Sequence, residues 1–327
     1  MAHQRNDRRL RLFLFSHPRT TSNLFMRLLE GLPNIAQSKY LYFPPYFYGP
    51  DRQAGCPREE YHYMPGYDRW EERSYQNTFD AMQKFMKDAE DQGKIPLVMD
   101  HALMLTTPTV PRQTIPEKPE IVDRMLDYDV DGGARRSPPP KELPIPNPTF
   151  FPDAFLLTLT PLFIIRHPAR TFPSYLRAIS ANATPKRKVF DEETPVAGAF
   201  KNQILVFDFF RALNGGQVPV VVEGERLVKD TKEQMKKVCE KIGLKEEDIK
   251  YEWQSKNIKL PQVMEAFQGK VLRSTGVMDD GSYDRPVDIS EEAKKWEKEW
   301  DADVAKRMEE LVRASVKDYE YLLQFAL

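Results

Sequence analysis

A polar segment near the amino terminus has the residue types that a phosphate-binding loop requires. This segment, residues 16–23 (Ser-His-Pro-Arg-Thr-Thr-Ser-Asn), lies between a buried strand predicted at Leu12–Phe15 and a predicted helix. We call it the phosphate loop. The first turn of a helix leaves backbone amides without internal partners, and these amides attract anions. Arg19 adds a positive charge and the next three residues add hydroxyl groups. The alternative is a well-capped helix beside a surface arginine.

Two further polar residues follow a second apolar run, Leu162–Ile165, which predicts another buried strand. Arg166 comes directly after this run, and Ser174 lies eight residues later on the helix predicted to follow. Ligands of open α/β sheets bind outside the carboxyl ends of the strands. A guanidinium and a hydroxyl in this place are therefore predicted to converge on one phosphate.

A histidine ends a third predicted strand. His101 follows the apolar run Ile95–Met99 after one intervening aspartate. An imidazole beside an anion site is suited to general-base work, because its ordinary pKa lies close to neutrality. A buried structural histidine is the alternative interpretation.

Alternating strands and helices predict how these residues are positioned. A fourth strand is predicted at 218–222, and helices are predicted at 79–89, 196–213 and 230–242. This order predicts an α/β fold in which helices flank both faces of a P-loop-type parallel sheet, within a single domain of residues 1–327. Residues 288–327 have apolar positions at helical spacing and predict a C-terminal helical segment.

Two regions interrupt the pattern. Residues 106–161 are crowded with prolines, which predicts an insertion or lid with little regular structure. Residues 40–75 are rich in Tyr, Phe and Pro. They are interpreted either as a loop with aromatic side chains in the core or as the wall of an apolar pocket.

The composition excludes several classes of function. The 327 residues carry a formal net charge of −1, so no overall field attracts nucleic acid or an acidic membrane. Two cysteines, Cys56 and Cys239, and five dispersed histidines predict neither a disulfide framework nor a metal site. The amino-terminal segment has too few apolar residues for a secretory signal or a membrane anchor. This favours a cytoplasmic location.

Taken together, these segments resemble the sulfotransferases that use 3′-phosphoadenosine-5′-phosphosulfate (PAPS). Residues 16–24 are similar to the family's 5′-phosphosulfate loop, and Arg166 with Ser174 is similar to its 3′-phosphate motif. Val-Val-Val-Glu-Gly-Glu-Arg-Leu at 220–227 resembles the family's strand that leads into Tyr-Glu-Asp-Leu. Lys-Val-Leu-Arg-Ser-Thr-Gly at 270–276 resembles its basic loop over the 3′-phosphate.

The resemblance implies roles for individual residues. Arg19 would contact the 5′-phosphate and the transferring sulfuryl group, and His101 would take the proton from a hydroxyl of a small-molecule acceptor. No metal is implied. The residues implied to bind PAPS, or its product 3′-phosphoadenosine-5′-phosphate (PAP), are Arg19, Thr20, Thr21, Ser22, Asn23, Arg166, Ser174, Arg273, Ser274, Thr275 and Gly276.

Three positions depart from the family pattern. Thr21 occupies the place of the usual loop glycine, Gly224 occupies the place of a tyrosine, and Met99 precedes His101 where a lysine is common. One alternative is therefore a sulfotransferase-like fold adapted to another small-molecule reaction. A P-loop kinase or NTPase is disfavoured because G-x-x-x-x-G-K-[ST] is absent, and a non-catalytic nucleotide-binding protein is the third alternative.

Overall fold

Parallel strands at the centre of the molecule place the predicted site residues at one sheet edge. The computed structural model describes residues 10–54, 67–107, 117–125, 143–181, 195, 199–261, 264–279, 281 and 286–327. Within these ranges the strands are β1 (Leu12–Ser16), β2 (Ile35–Lys39), β3 (Ile95–His101), β4 (Thr160–Ile165) and β5 (Val220–Glu223). They form one sheet in the order β2-β3-β1-β4-β5, and every neighbouring pair is parallel.

Helices connect the strands and cover the sheet. In chain order they are α1 (Ser22–Leu29), α2 (Phe43–Phe47), α3 (Tyr75–Asp91), α4 (Ala102–Leu105), α5 (Asp153–Leu156), α6 (Pro168–Ser180), α7 (Lys201–Leu213), α8 (Gly224–Lys229), α9 (Thr231–Ile242), α10 (Lys270–Arg273), α11 (Ile289–Glu299) and α12 (Ala302–Leu323). A single π-helical turn, Glu265–Gly269, precedes α10.

Both faces of the sheet are apolar because the strands are buried on both sides. Phe13 and Phe15 point into a core shared with α3 and α7, whereas Leu12 and Leu14 point into a second core shared with α1 and α9. Side chains alternate between the faces of a strand, so an almost continuous apolar run is expected when helices cover both faces. The predicted α/β fold with a parallel sheet and helices on both faces is confirmed.

An edge strand and a buried aromatic cluster differ from the expectations. β2 was not predicted, because Gln37 and the two residues after it are polar, as suits a half-exposed edge. The predicted Pro-rich insertion is only partly described, since residues 108–116 and 126–142 lie outside the described residues. Phe151 and Phe155 pack on Phe13 and Phe79 in the core, so residues 150–156 of the insertion are not a surface lid, whereas the described residues 117–125 are mostly exposed.

The aromatic and C-terminal segments also have defined places. Tyr42, Tyr46 and Phe47 are buried, so this part of the aromatic region belongs to the core. The predicted C-terminal helical segment contains two successive helices, α11 and α12. Trp296 of α11 is 1% exposed and packs in a third apolar cluster that includes residues of α6 and α12.

The turn between β1 and α1 has an unusual backbone. Arg19 and Thr21 have φ angles of 69° and 65°, in the left-handed region that favours glycine. A β-carbon added to Gly224 would lie 2.4 Å from Thr21 Oγ1 and 3.0 Å from the carbonyl oxygen of Thr20. The threonine side chain therefore occupies space that only a glycine at position 224 leaves open. The departures from the family pattern at positions 21 and 224 are therefore linked by one side-chain contact.

Gly224→Ala is expected to lower the free energy of unfolding by about 1–3 kcal/mol, since the added methyl group overlaps Thr21 in a packed site. Thermal unfolding measures the loss. Introducing the same alanine into a Thr21→Gly background should cost less, because the closest clashing atom is gone. Equal losses in the two backgrounds would contradict the contact.

Candidate active site

A cavity of about 370 Å³ opens at the carboxyl ends of β1, β3 and β4. It gathers side chains that lie far apart in sequence, because the ends of parallel strands meet at one sheet edge. Nine of the predicted site residues line it: Arg19, Thr21, Ser22, Asn23, His101, Arg166, Ser174, Ser274 and Gly276.

Three predicted residues do not line this cavity. Thr20 is fully buried, and its hydroxyl donates to the carbonyl oxygen of His17 at 2.7 Å, which braces the phosphate loop from within. Arg273 points to the surface and forms an ion pair with Glu265. The carbonyl oxygen of Thr275 accepts from a backbone amide, so this residue contributes to local chain pairing.

Arg19 is held on several sides. Its Nε donates to Ser174 Oγ at 2.9 Å, and its Nη1 donates to the carbonyl oxygens of Phe267 and Ala266 at 3.0 and 3.4 Å. The guanidinium also lies 5.5 Å from the centre of the Phe267 ring. Burial, and then the nearby charge of Arg166, lower the pKa of Arg19. The phosphate loop and the predicted Arg-Ser motif thus meet directly.

Arg166 contacts the same loop from β4. Its Nη1 donates to the carbonyl oxygen of Arg19 at 3.2 Å, and its Nε lies 4.0 Å from Glu225 Oε1. Glu225 lies 3.9 Å from Arg170, which in turn lies 3.9 Å from Glu292. Burial raises the pKa of Glu225, and the two arginines oppose that rise.

Sequence analysis missed several cations of the cavity. Arg170 and Arg177 line it from α6, and Lys270 lines it from α10. Counting along α6 could have found the two arginines, because residues 166, 170, 174 and 177 follow the spacing of one helix face. Lys270 lies in the basic segment 270–276 that the resemblance singled out, although it was not among the residues implied to bind PAPS. The lining contains five cationic side chains and one carboxylate, so the cavity suits a ligand with several negative charges.

His101 has one ring nitrogen engaged. Ser16 Oγ lies 3.1 Å from the carbonyl oxygen of Asp100 and 2.8 Å from His101 Nδ1. When Ser16 donates its single hydroxyl proton to this carbonyl oxygen, His101 donates to Ser16 from Nδ1. This assignment leaves Nε2 with its lone pair. The arrangement selects the tautomer that a general base requires.

Burial keeps the His101 imidazole neutral. The side chain is 8% exposed, and burial, with His17 nearby, lowers the pKa of His101 to about 3. The adjacent Asp100 points to the other side of β3, where its carboxylate accepts the backbone amides of Tyr42 and His101, both at 2.9 Å. Burial raises the pKa of Asp100 to about 7. Asp100 therefore fastens the segment after β2 to the end of β3.

The two other described histidines have packing or capping contacts. The ring of His17 stacks on Phe200 with centroids 4.4 Å apart. His167 Nδ1 accepts the amide of Ala169 at 3.2 Å and caps α6. His3 and His62 lie outside the described residues.

Neither a metal cluster nor a membrane span is found in the described part of the chain. No three His, Cys, Asp or Glu side chains there are placed to hold a metal ion. None of the helices in the same ranges combines the length and the apolar character needed to cross a bilayer. The cytoplasmic location stays a prediction.

Comparison with known proteins agrees with the geometry of this cavity. Residues 11–248 match the sulfotransferase family. The chain is 29% identical to Sulfotransferase ppzF of Metarhizium majus (strain ARSEF 297) over 343 aligned positions, which cover 95% of each protein. It is 28% identical to Sulfotransferase ppzF of Metarhizium rileyi (strain RCEF 4871), over 95% of this chain and 94% of that relative. The family match covers well over half of the sequence, and this chain therefore belongs to the sulfotransferase family of enzymes.

Proposed function

We propose that this protein transfers a sulfuryl group from PAPS to a hydroxyl group of a small molecule. The observation that carries the proposal is the cationic cavity at the carboxyl ends of β1, β3 and β4, with a histidine at its margin. Membership of the sulfotransferase family supports the reaction class.

The residues of the cavity fit a nucleotide with phosphates at two positions. Arg19 and the amides at the start of α1 form one cationic group, and Arg166 and Arg170 at the start of α6 form another. Helix amino termini and guanidinium groups both favour phosphate. In this proposal the phosphate loop holds the 5′-phosphate. Arg166 and Ser174, together with Ser274 and Gly276, hold the 3′-phosphate.

Bound PAPS supplies a sulfuryl group attached to a phosphate leaving group. Arg19 stabilises the negative charge that grows on that phosphate, and its position is already fixed by Ser174 and the carbonyl oxygens of residues 266 and 267. His101 Nε2 takes the proton of the acceptor hydroxyl as its oxygen attacks. Ser16 holds the imidazole in the tautomer that this step needs.

Nucleotide preference tests the proposed donor. PAP should raise the melting temperature of the protein more than ADP, ATP or GDP at equal concentration, because it alone carries the 3′-phosphate and ligand binding stabilises the folded state. A larger shift with ATP or GDP would favour a kinase or NTPase. Stabilisation by PAP without any turnover of PAPS would favour a non-catalytic binding protein.

Arg166→Ala should weaken PAP binding at least about tenfold, since a charge-assisted contact contributes about 1.5–3 kcal/mol. Calorimetric titration with PAP and with AMP provides the comparison. AMP lacks the 3′-phosphate, so its affinity should change little. Equal losses of affinity for PAP and AMP would show that Arg166 does not contact the 3′-phosphate.

His101→Ala should lower turnover roughly 10²–10⁴-fold and leave PAP affinity unchanged, because the general base faces the acceptor and not the phosphates. Because burial lowers the pKa of His101 to about 3, the imidazole is already neutral in mild acid. Below about pH 6, where Asp100 is already largely protonated, the wild-type rate should therefore stay level down to about pH 5, whereas an ordinary histidine with a pKa near 6.5 would lower it about tenfold per pH unit.

His167→Asn is the matched control for that variant, since asparagine keeps a cap on α6 and position 167 does not line the cavity. Its turnover should equal that of the wild type. A stable His101→Ala protein with normal turnover would remove His101 from the mechanism.

A further inference from the structure

Tyr40 has a backbone conformation that a tyrosine adopts only under constraint. It directly follows the edge strand β2, and its φ angle is 56°. Its amide donates to the carbonyl oxygen of Met99 at 2.9 Å, which fixes the residue against β3. A bulky residue in the left-handed region is strained, and such strain concentrates at functional sites. The constraint places the phenol ring in the cavity beside the phosphate loop.

The hydroxyl of Tyr40 has a proton to donate. Lys39 Nζ lies 3.1 Å from Asn23 Oδ1, and because an ammonium only donates, the amide oxygen of Asn23 must face Lys39. Asn23 Nδ2 then faces Tyr40 and donates to its Oη at 2.9 Å. The phenol oxygen thus accepts from Asn23. Ser22 is the other side-chain hydrogen-bond partner of the phenol, and its hydroxyl is able to donate to the same oxygen, which leaves the phenol proton for a ligand in the cavity.

The position of this donor lies between the two halves of the proposed site. Asn23 belongs to the phosphate loop, and the Tyr40 ring lies 5.2 Å from the ring of His101 between centroids. Arg19 is also close enough to act on the phenol electrostatically. The phenol therefore lies next to both the phosphate loop and His101.

The phenol remains a donor across the physiological range. Burial raises the pKa of Tyr40 to about 12, and the hydrogen bonds from Asn23 and Ser22 only partly oppose that rise. A neutral phenol fixed in a partly buried site stabilises developing negative charge without reorganisation.

We propose that Tyr40 is a further catalytic residue, whose hydroxyl donates a hydrogen bond to a non-bridging oxygen of the sulfuryl group. This inference rests on the proposed function. Tyr40 keeps its proton throughout: the acceptor oxygen bonds to sulfur, the sulfur–oxygen bond to the 5′-phosphate breaks, and the acceptor proton goes to His101 Nε2. The hydrogen bond forms to bound PAPS and strengthens as charge moves across the sulfuryl oxygens.

Tyr40→Phe tests this role, because it removes the hydroxyl and keeps the ring against His101. Calorimetric titration should show PAPS bound about tenfold more weakly and PAP, which lacks the sulfuryl group, bound as in the wild type. Turnover of PAPS is measured with 4-nitrophenol as the probe acceptor. It should fall at least about tenfold more than PAPS affinity does.

Tyr42→Phe is the matched control. Tyr42 is fully buried two residues away, its hydroxyl has no hydrogen-bond partner among the residues that the structure describes, and it does not line the cavity. This variant should bind PAPS and PAP as the wild type does and turn over at the same rate.

Three other outcomes overturn the inference. Equal weakening of PAPS and PAP by Tyr40→Phe would mean that the hydroxyl only braces Asn23. If the wild type transfers sulfuryl groups and Tyr40→Phe changes neither PAPS affinity nor turnover, the Tyr40 hydroxyl contacts nothing in the reaction. A wild-type protein that binds neither nucleotide, or turns over no PAPS, would instead refute the proposed function and this inference with it.

Discussion

Like charges meet in one partly buried cavity, and the structure around it depends on how their repulsion is offset. Arg19, Arg166 and Arg170 converge there, and the lowered pKa of Arg19 reflects both burial and its charged neighbour. The carbonyl oxygen of Phe267 and the carboxylate of Glu225 provide the compensation. These groups come from distant parts of the sequence. The charge cluster thus couples the carboxyl-terminal third of the chain to its first strand and helix.

The fold was predictable where burial imposes a simple pattern. β1 and β4 are apolar at almost every position that the sheet buries, Ser16 at the end of β1 being the polar exception, so short apolar runs followed by polar turns located them. β2 escaped prediction because an edge strand is only half buried and need not alternate. The aromatic side chains of Phe151 and Phe155 escaped for the opposite reason. They lie among prolines, and prolines prevent long elements without preventing burial.

The site was predictable to the extent that local sequence carries its geometry. Loop hydroxyls, a strand-end arginine and a strand-end histidine each follow from the position of one element, and the cavity brings them together. Tyr40 could not be found in this way. Its position depends on a backbone hydrogen bond to Met99 and on a positive φ angle. Both are set by the tertiary structure and leave no signal in the local sequence. Arg273 shows the opposite case. It lies in the predicted basic segment, but its side chain pairs with Glu265 at the surface and does not line the cavity.

The contact between Thr21 and Gly224 restricts which residues can occur together at these two positions. Threonine at position 21 requires an empty space at position 224, because any β-carbon there would lie 2.4 Å from its hydroxyl oxygen. Glycine at position 224 makes no such demand on position 21. The constraint therefore runs in one direction, and a side chain at position 224 would need both a smaller residue at position 21 and a shift of the neighbouring carbonyl oxygens of Thr20 and Ile165.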